Sequence, residues 1–421
     1  MDARTRARLV AITRDILAQT RGSDPVRLSD SVMRIDAARY TDPARFEREK
    51  QRIFRRLPLM LAASCEIRDP GAYKTIDVAG VPVLLTRGKD GAAHAFLNAC
   101  THRGSAVADG CGTASRFSCP YHGWTFDGEG RLVGINTRGE FGDIDVAANG
   151  LRPFPVLERA GLVWVVLDPR SNLDIALFLS GFDALLAGFG FADWHFQRRR
   201  ALPGPNWKLA FDAHNEFYHL PVLHGKSFGT AISNKTLSYP SGPHQRLARP
   251  APTELYRVPD EASLYSLADR PEAEWGVEAM LQGGWIIFPN VGISTFYDGG
   301  RGVMLSQVIP GATVDQSTTI QTYLTAQEPD AAARERIEAV CNFVEAVVRD
   351  EDLACSFRQQ SVLQSGLLDT VHLGRNEGGV QHLHQWVDRV LDTPDDGLNA
   401  LFASGPAAFG DAALHPAGAI A

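Results

Sequence analysis

The feature that most constrains this chain is a pair of short knuckles, Cys100-Thr-His102 and Cys119-Pro-Tyr-His122, separated by sixteen residues. Each knuckle carries one thiol and one imidazole, and four such side chains must converge on one inorganic centre. Two Cys and two His form the ligand set of a [2Fe–2S] cluster in which imidazoles replace thiolates on one of the irons. A structural zinc site accepts the same residue types. Zinc fingers, however, group the two Cys in one knuckle and the two His in the other, whereas here each knuckle is mixed. Each can therefore give its Cys to one iron and its His to the other.

A cluster of this kind needs only a small domain, yet the chain has 421 residues, enough for two or three domains. Its hydrophobic content of 44% and charged content of 22% place it among ordinary water-soluble globular proteins. A net charge of -7 argues against nucleic acid as a partner, because phosphate binding needs clustered Lys and Arg. The basic groups Arg4, Arg6 and Arg8, and Arg198 to Arg200, read as solvated faces or as a docking patch for an acidic protein. Four Cys (Cys65, Cys111, Cys341 and Cys355) lie outside the knuckles, show no paired spacing and are expected to stay reduced. No apolar run approaches a membrane span, and the N-terminus lacks the apolar core of a signal peptide. The expectation is a cytoplasmic protein without a membrane partner.

Residues 4–20 have the spacing of an amphipathic helix, with Leu9, Val10, Ile12, Ile16 and Leu17 on one face. A second helix is predicted from Pro43 to Leu57, with Asp42 as its N-cap. From Leu59 the pattern changes to short strands over 73–80, 81–87, 93–99, 124–127, 131–134 and 161–168, with turns at Gly80 and Gly128 to Gly130. This predicts a small antiparallel β domain with the two knuckles in its loops. Beyond Pro169 the pattern predicts a helix over 173–190, extended chain over 194–202, strands after Gly283, and a long helix from Pro329 to about Gly366. Runs of strands bounded by helices indicate an α+β protein. Ser238 to Pro259 reads as loop, and the tail from Ala403 as poorly ordered chain. The expected plan is a helical arm over 1–45, the cluster domain over 46–168, a larger domain over 169–400 and a tail over 401–421.

A second group of ligand-type side chains fills Asn206 to His224. On a continuous helix, Asp212, Glu216 and His219 share one face. His224 would lie about 140° around from His219, unless Pro221 breaks the helix and returns it. Two imidazoles and one carboxylate on one face of an iron make the facial triad of non-haem Fe(II) oxygenases, with positions left open for O2 and substrate. The carboxylate must come from elsewhere, and Arg349-Asp350-Glu351-Asp352 on the late helix offers it. A zinc hydrolase uses similar ligands, but it has no use for the electrons that the first motif carries. His214 and Asp212 read as hydrogen-bonding neighbours of the site, and His382 and His384, near Trp386, as helix-face residues. Trp285 to Phe288, Phe296 and Tyr297 are candidates for lining an apolar pocket.

With both motifs placed, the chain resembles the catalytic α subunit of the Rieske non-haem iron oxygenases, the aromatic-ring-hydroxylating dioxygenases and their monooxygenase and demethylase relatives. The resemblance runs in the family's order from about residue 40 to 392. It implies that Cys100 and Cys119 hold one iron of the [2Fe–2S] cluster and His102 and His122 the other. It implies that His219, His224 and Asp352 hold the mononuclear Fe(2+), and that Glu216 bridges this iron to a cluster His of the neighbouring subunit. Ala213 departs from the Asn frequent at that place, which touches no ligand. The implied larger domain is a helix-grip fold, an antiparallel sheet around a long helix, and the implied assembly is a homotrimer, with or without a separate β subunit. Electrons would come from NADH or NADPH through a reductase, with or without a ferredoxin. The activity expected first is O2-dependent hydroxylation or cis-dihydroxylation of an apolar, aromatic or polycyclic substrate. Second is oxidative N- or O-demethylation, which Glu216 favours because it resembles the oxygenases of quaternary amines. A Rieske protein that only carries electrons would leave about 250 residues without a task.

Overall fold

The structure, a computed structural model, describes residues 1–21, 27–230, 232–250, 264–297 and 300–404. It folds as two compact units. The smaller comprises Lys50–Ile175 and Gly190–Asp193; the larger comprises Met1–Glu49, Ala176–Phe189 and the described residues from Trp194 onward. Mixed helix and antiparallel sheet make this an α+β protein, as the sequence pattern predicts.

The smaller unit is built of short antiparallel strands. Ala93–Leu97, Val81–Arg87, Ala72–Val78 and Cys111–Thr113 form one sheet in that spatial order. Its central hairpin closes through Ala79 and Gly80, both left-handed at φ +52° and +75°. That is the two-residue turn whose twist matches the twist of the paired strands, and Asp77 Oδ1 accepts the Gly80 N–H at 3.1 Å. Arg116–Ser118, Thr125–Asp127 and Leu132–Gly134 form a second sheet, and Val156–Arg159, Leu162–Val166 and Pro58–Ala63 a third. Phe96, Phe117, Trp124, Phe126 and Leu132 pack into one core together with the buried Cys100 and Cys119.

The larger unit is a seven-stranded antiparallel sheet. Its order is His195–Gly204, Ser317–Thr325, Arg301–Pro310, Val291–Tyr297, Gly284–Ile287, His244–Ala248, Leu237–Ser241. The helix Ala331–Val347 starts on Asp330, whose Oδ1 accepts the Ala333 N–H at 2.8 Å. It runs on through a π turn, Val348–Leu353, into Ala354–Gln364. Its apolar face, Ala333, Ile337 and Cys341, packs on Met304 and Tyr323 of the sheet. On Gly284–Ile287, Trp285 packs instead against Phe182 and Phe189, as the period of two requires.

The chain departs from its sequence pattern in the stretch from Ser238. Leu237–Ser241 and His244–Ala248 pair as a hairpin rather than a loop. Pro240 is tolerated because its strand is the sheet's edge, where a missing N–H removes no ladder bond. Residues 251–263 and the tail from 405 lie outside the described residues. The helix from Pro43 has Asp42 Oδ1 at its start, accepting the Ala44 N–H at 2.8 Å, but it is α-helical only to Glu49.

Glu49 is fully buried. It bonds Lys208 Nζ, and it accepts from Trp207 Nε1 at 2.8 Å and from Arg45 Nε at 3.0 Å. The helix Trp207–Asp212, which leads into the residues discussed below, is thereby tied down at its first turn. Lys208→Met leaves the buried carboxylate short of its main counter-charge, so stability should fall by about 3 kcal/mol, the low end for a broken buried pair because Arg45 still holds Glu49. Urea unfolding followed by circular dichroism measures this, and a loss below about 1 kcal/mol would show that the pair does not anchor the helix.

Candidate metal centres

Each Cys-His knuckle closes on itself. The Cys100 N–H donates to Ser105 O at 2.7 Å, and the Gly104 N–H returns to Cys100 O at 2.8 Å. The Cys119 N–H donates to Trp124 O at 2.7 Å, and the Gly123 N–H returns to Cys119 O at 3.0 Å. Gly104 and Gly123 have φ of +82° and +73°, where a side chain is disfavoured. The two thiols are buried and the two imidazoles partly exposed. His102 stacks on Trp124 with ring centroids 5.1 Å apart, His122 stacks under Tyr121 at 3.7 Å, and the two imidazoles lie 4.8 Å from each other.

The donor set fits a [2Fe–2S] cluster. Nδ1 of His102 and Nδ1 of His122 are buried and have no hydrogen-bond partner, a costly state for a polar atom unless a cation completes it. Burial raises the Cys100 thiol. Burial also acts upward on Cys119, but the N–H groups of Tyr121 and His122 aimed at its sulfur, together with the Cys100 and Ser105 side chains, outweigh burial and bring it below its ordinary value. Hydrogen bonds of that kind stabilise cluster-bound thiolate.

The second constellation is not one helix. Trp207–Asp212 is α-helical and Ala213–Asn215 tightens to 3-10, after which Glu216 is fully extended at φ -152° and ψ 166°. A short helix, Leu220–Leu223, restarts with Pro221 in its first turn, where proline is tolerated. The break expected at Pro221 therefore falls five residues earlier, at Glu216. There the Glu216 carboxylate accepts the N–H groups of Tyr218 and of His219, the latter at 3.1 Å, and so holds the turn that leads into the second helix. His219 and His224 then flank this single short helix, with ring centroids 5.0 Å apart.

The late helix supplies the acids from its π turn, the kind of irregularity that is frequent at functional sites. Its three neighbouring acids separate. Asp350 is exposed and pairs with Arg349 at 2.7 Å. Glu351 Oε2 accepts from His224 Nδ1 at 2.6 Å and is held in turn by Ser227 Oγ. Asp352 Oδ1 lies 3.1 Å from His224 Nε2 and 3.6 Å from His219 Nε2. On the other ring, Nδ1 of His219 donates to Glu216.

Both imidazoles thus commit Nδ1–H to a carboxylate and leave the Nε2 lone pair for Asp352's side of the site. The facing atoms of His219, His224 and Asp352 all lie within 4.8 Å of one another, and Asp352 Oδ1 is buried with no hydrogen bond. Two donors bound to one ion at right angles, each at about 2.1 Å, sit about 3 Å apart, so this triangle can close on one metal. Burial acts downward on His224, but Asp352 and Glu351 outweigh it and hold the ring above its ordinary value. The pocket's excess of negative charge is what a bound cation neutralises.

Two cavities meet at this triangle. One, of about 260 Å³, lies between sheet and helix and is lined by Phe217, Phe228, Ile286, Phe296, Tyr323 and Val344, among others. Of the expected lining residues, Ile286 and Phe296 face it; Trp285 and Phe288 belong to buried core, and Tyr297 is exposed. The other, of about 510 Å³, is lined by Tyr40, Asp212, Glu216, His219, Asp352 and Glu377. There Tyr40 Oη donates to Asp212 Oδ2 at 2.7 Å, and His384 Nε2 lies 3.2 Å from Asp212 Oδ1. Burial raises the Glu377 carboxyl, and the nearby Glu216 and Asp212 carboxylates add to that. Tyr40, Glu377, Phe217 and Phe228 carry no sequence signal of their own. Glu351 did have one, its place beside Asp352.

Residues 58–154 match the family model of the Rieske [2Fe-2S] domain, and residues 191–393 match that of the ring hydroxylating alpha subunit, catalytic domain. The chain belongs to the Rieske oxygenases. Enzymes of this family are oxidoreductases that pair a [2Fe–2S] cluster with a mononuclear iron. This oxygenase chain is 33% identical to the glycine betaine monooxygenase oxygenase subunit of Chromohalobacter salexigens, over 46% of its own length and 43% of the relative's. It therefore spans less than half of that protein. It is 27% identical to the carnitine monooxygenase oxygenase subunit of Escherichia coli, over 85% of its own length and 93% of the relative's. A solved quaternary ammonium Rieske monooxygenase in complex with L-carnitine shares the fold, with a TM-score of 0.70 at 21% identity over 90% of this chain and 98% of that one. These relatives are named for quaternary ammonium compounds, so the expectation of aromatic hydrocarbon catabolism finds no support among them. Among the described residues, no helix is long and apolar enough to cross a membrane.

Glu351 orients a ring without facing the triangle itself. Glu351→Ala should weaken Fe(II) binding about 10- to 100-fold, as loss of such supporting carboxylates does, and leave the visible absorbance of the [2Fe–2S] cluster unchanged. Chelator competition measures the affinity; an unchanged value would mean that His224 needs no such orientation.

Proposed function

We propose that this chain is the terminal component of a monooxygenase that oxidises a C–H bond next to the nitrogen of a quaternary ammonium compound. The observation that carries the reading is the lining of the 260 Å³ cavity: four aromatic rings, Phe217, Phe228, Phe296 and Tyr323, stand beside the triangle, and no Lys or Arg is among the described lining residues. A quaternary nitrogen can neither donate nor accept a hydrogen bond, and ring faces attract it. The similarity to carnitine and glycine betaine monooxygenase subunits points the same way.

In this reading His219, His224 and Asp352 hold Fe(2+), and Cys100, Cys119, His102 and His122 hold the cluster. When bound, the iron supplies O2 activation and the cluster supplies electrons drawn from an NAD(P)H-dependent reductase, directly or through a ferredoxin. Glu216 and Glu351 keep the Nδ1 protons of the two ligand rings in place, so that both Nε2 atoms stay deprotonated. The aromatic wall holds the ammonium group and keeps bulk water from the reacting carbon. Insertion of oxygen at a C–H bond beside nitrogen gives an N,O-acetal carbon, which releases the amine and an aldehyde as the hydroxyl gives up its proton. The same reading takes the chain as one subunit of a homotrimer in which Glu216 connects His219 to a cluster-ligating imidazole of the neighbouring subunit.

Two measurements test this. Reconstituted with a reductase and supplied with choline, glycine betaine or L-carnitine, the protein should form an aldehyde and an amine in equal amounts, seen by mass spectrometry. A cis-dihydrodiol from naphthalene without aldehyde from any of the three would replace the reading by ring dioxygenation. Glu216→Gln should retain both metals yet slow reoxidation of the reduced cluster by at least about tenfold in a single turnover, a barrier increase of about 1.4 kcal/mol. A wild-type rate would remove Glu216 from the connection.

A further inference from the structure

Among the described residues that line the 260 Å³ cavity, His214 is the one imidazole that neither motif uses. It sits in the 3-10 segment Ala213–Asn215 and lines the 260 Å³ cavity together with His219, His224 and Asp352. Its Nδ1 lies 3.2 Å from Ala210 O. A carbonyl oxygen only accepts, so Nδ1 carries the proton. The ring is wedged in place, stacked on Phe211 with centroids 5.5 Å apart. On its other side Cδ2 lies against Gly292, where a Cβ would approach to 3.0 Å. Burial holds the imidazole below its ordinary value, so at neutral pH the ring is uncharged and Nε2 bears a lone pair. Among the described residues, no group engages that lone pair.

The other polar groups of the lining are committed or open to solvent. Thr295 Oγ1 accepts the Gly283 N–H at 2.8 Å, Tyr323 Oη bonds Gln321 at 3.3 Å, and Ser294 is exposed. His214 is half-buried and its Nε2 is open to water in the cavity; a ligand that fills the cavity without offering a donor leaves this acceptor unpaired, which is costly. A trimethylammonium group cannot supply that donor, because it has no N–H. A hydroxyl elsewhere on the same molecule can.

We propose that His214 Nε2 accepts a hydrogen bond from a substrate hydroxyl, and that the cavity therefore selects hydroxylated quaternary ammonium compounds over their deoxy counterparts. The fixed tautomer makes the group an acceptor only, so an ether or carbonyl at the same place gains nothing. This inference rests on the quaternary ammonium reading above for the class of substrate, but not for the role of His214.

The test uses ligand pairs that differ by one hydroxyl: L-carnitine against γ-butyrobetaine, choline against ethyltrimethylammonium, and, as a control for the substrate class, benzyl alcohol against toluene. Dissociation constants are measured by calorimetry on the iron-loaded, cluster-containing protein under anaerobic conditions, without turnover. The hydroxylated member of a binding pair should bind about five- to tenfold more tightly, the worth of one net hydrogen bond. His214→Asn retains an N–H for Ala210 O but places no acceptor where Nε2 stands, and it should abolish the difference. His214→Gln, whose longer amide reaches that place, should restore some of it. Cluster absorbance and iron content report that each variant is folded. Equal affinities within every wild-type pair, or a difference that survives in the Asn variant, would overturn the role of His214. If only the aromatic pair binds, the quaternary ammonium reading falls and His214 is judged on that pair. If no compound binds, both fall.

Discussion

The candidate iron site depends on one repeated interaction, a carboxylate on the Nδ1 of an imidazole. Glu216 holds His219 in this way and Glu351 holds His224. A free histidine exchanges its proton between two nitrogens and turns its ring at little cost. The Nδ1 bond removes both freedoms, fixing the tautomer and the plane together. Only then do two Nε2 atoms and Asp352 Oδ1 face one point. The two supports come from different elements, one from a break between helices and one from a π turn. Neither the His pair nor the acid pair is sufficient without the other.

Glu216 illustrates how one side chain can serve several levels of structure. Its carboxylate holds the turn between the 3-10 segment and the helix Leu220–Leu223, and it grips the His219 ring. It also lines the 510 Å³ cavity, where Asp212, Tyr40 and Glu377 gather. Local folding and site assembly are thus the same set of hydrogen bonds. The buried Glu49 with Lys208, Trp207 and Arg45 has a simpler role in the preceding helix, fixing where the segment begins.

The cluster knuckles use a different device. Backbone hydrogen bonds and left-handed glycines close each loop, and aromatic rings set the imidazole planes. The two thiols are buried and the two imidazole rings are partly exposed. The cluster domain therefore presents its imidazole side, rather than its thiolate side, to whatever docks there. Such a polarity suits a centre that passes electrons on instead of binding substrate.

Much of this was legible in the residues themselves. The mixed Cys-His knuckles state their chemistry through residue type and spacing, because the ligands of each knuckle are local and need no distant partner. The hairpin Ala72–Arg87, the strands from Gly284 to Thr325 and the long helix follow from periodicity. What spacing could not tell was which of Asp350, Glu351 and Asp352 turns inward, since a π turn shifts the facing by one residue and only packing selects it. Nor could it place the break at Glu216, because there a side chain that bonds the two backbone N–H groups of the following turn sets the chain direction, while Pro221 is accommodated in the first turn of the next helix. The hairpin over Leu237–Ala248 stayed hidden for a related reason: an edge strand admits a proline that a central one excludes. The kind of chemistry was thus determined by the ligand residues in the sequence. Which acid joins the two histidines, and which rings surround the space beside them, was decided by tertiary packing, because those contacts join segments more than a hundred residues apart.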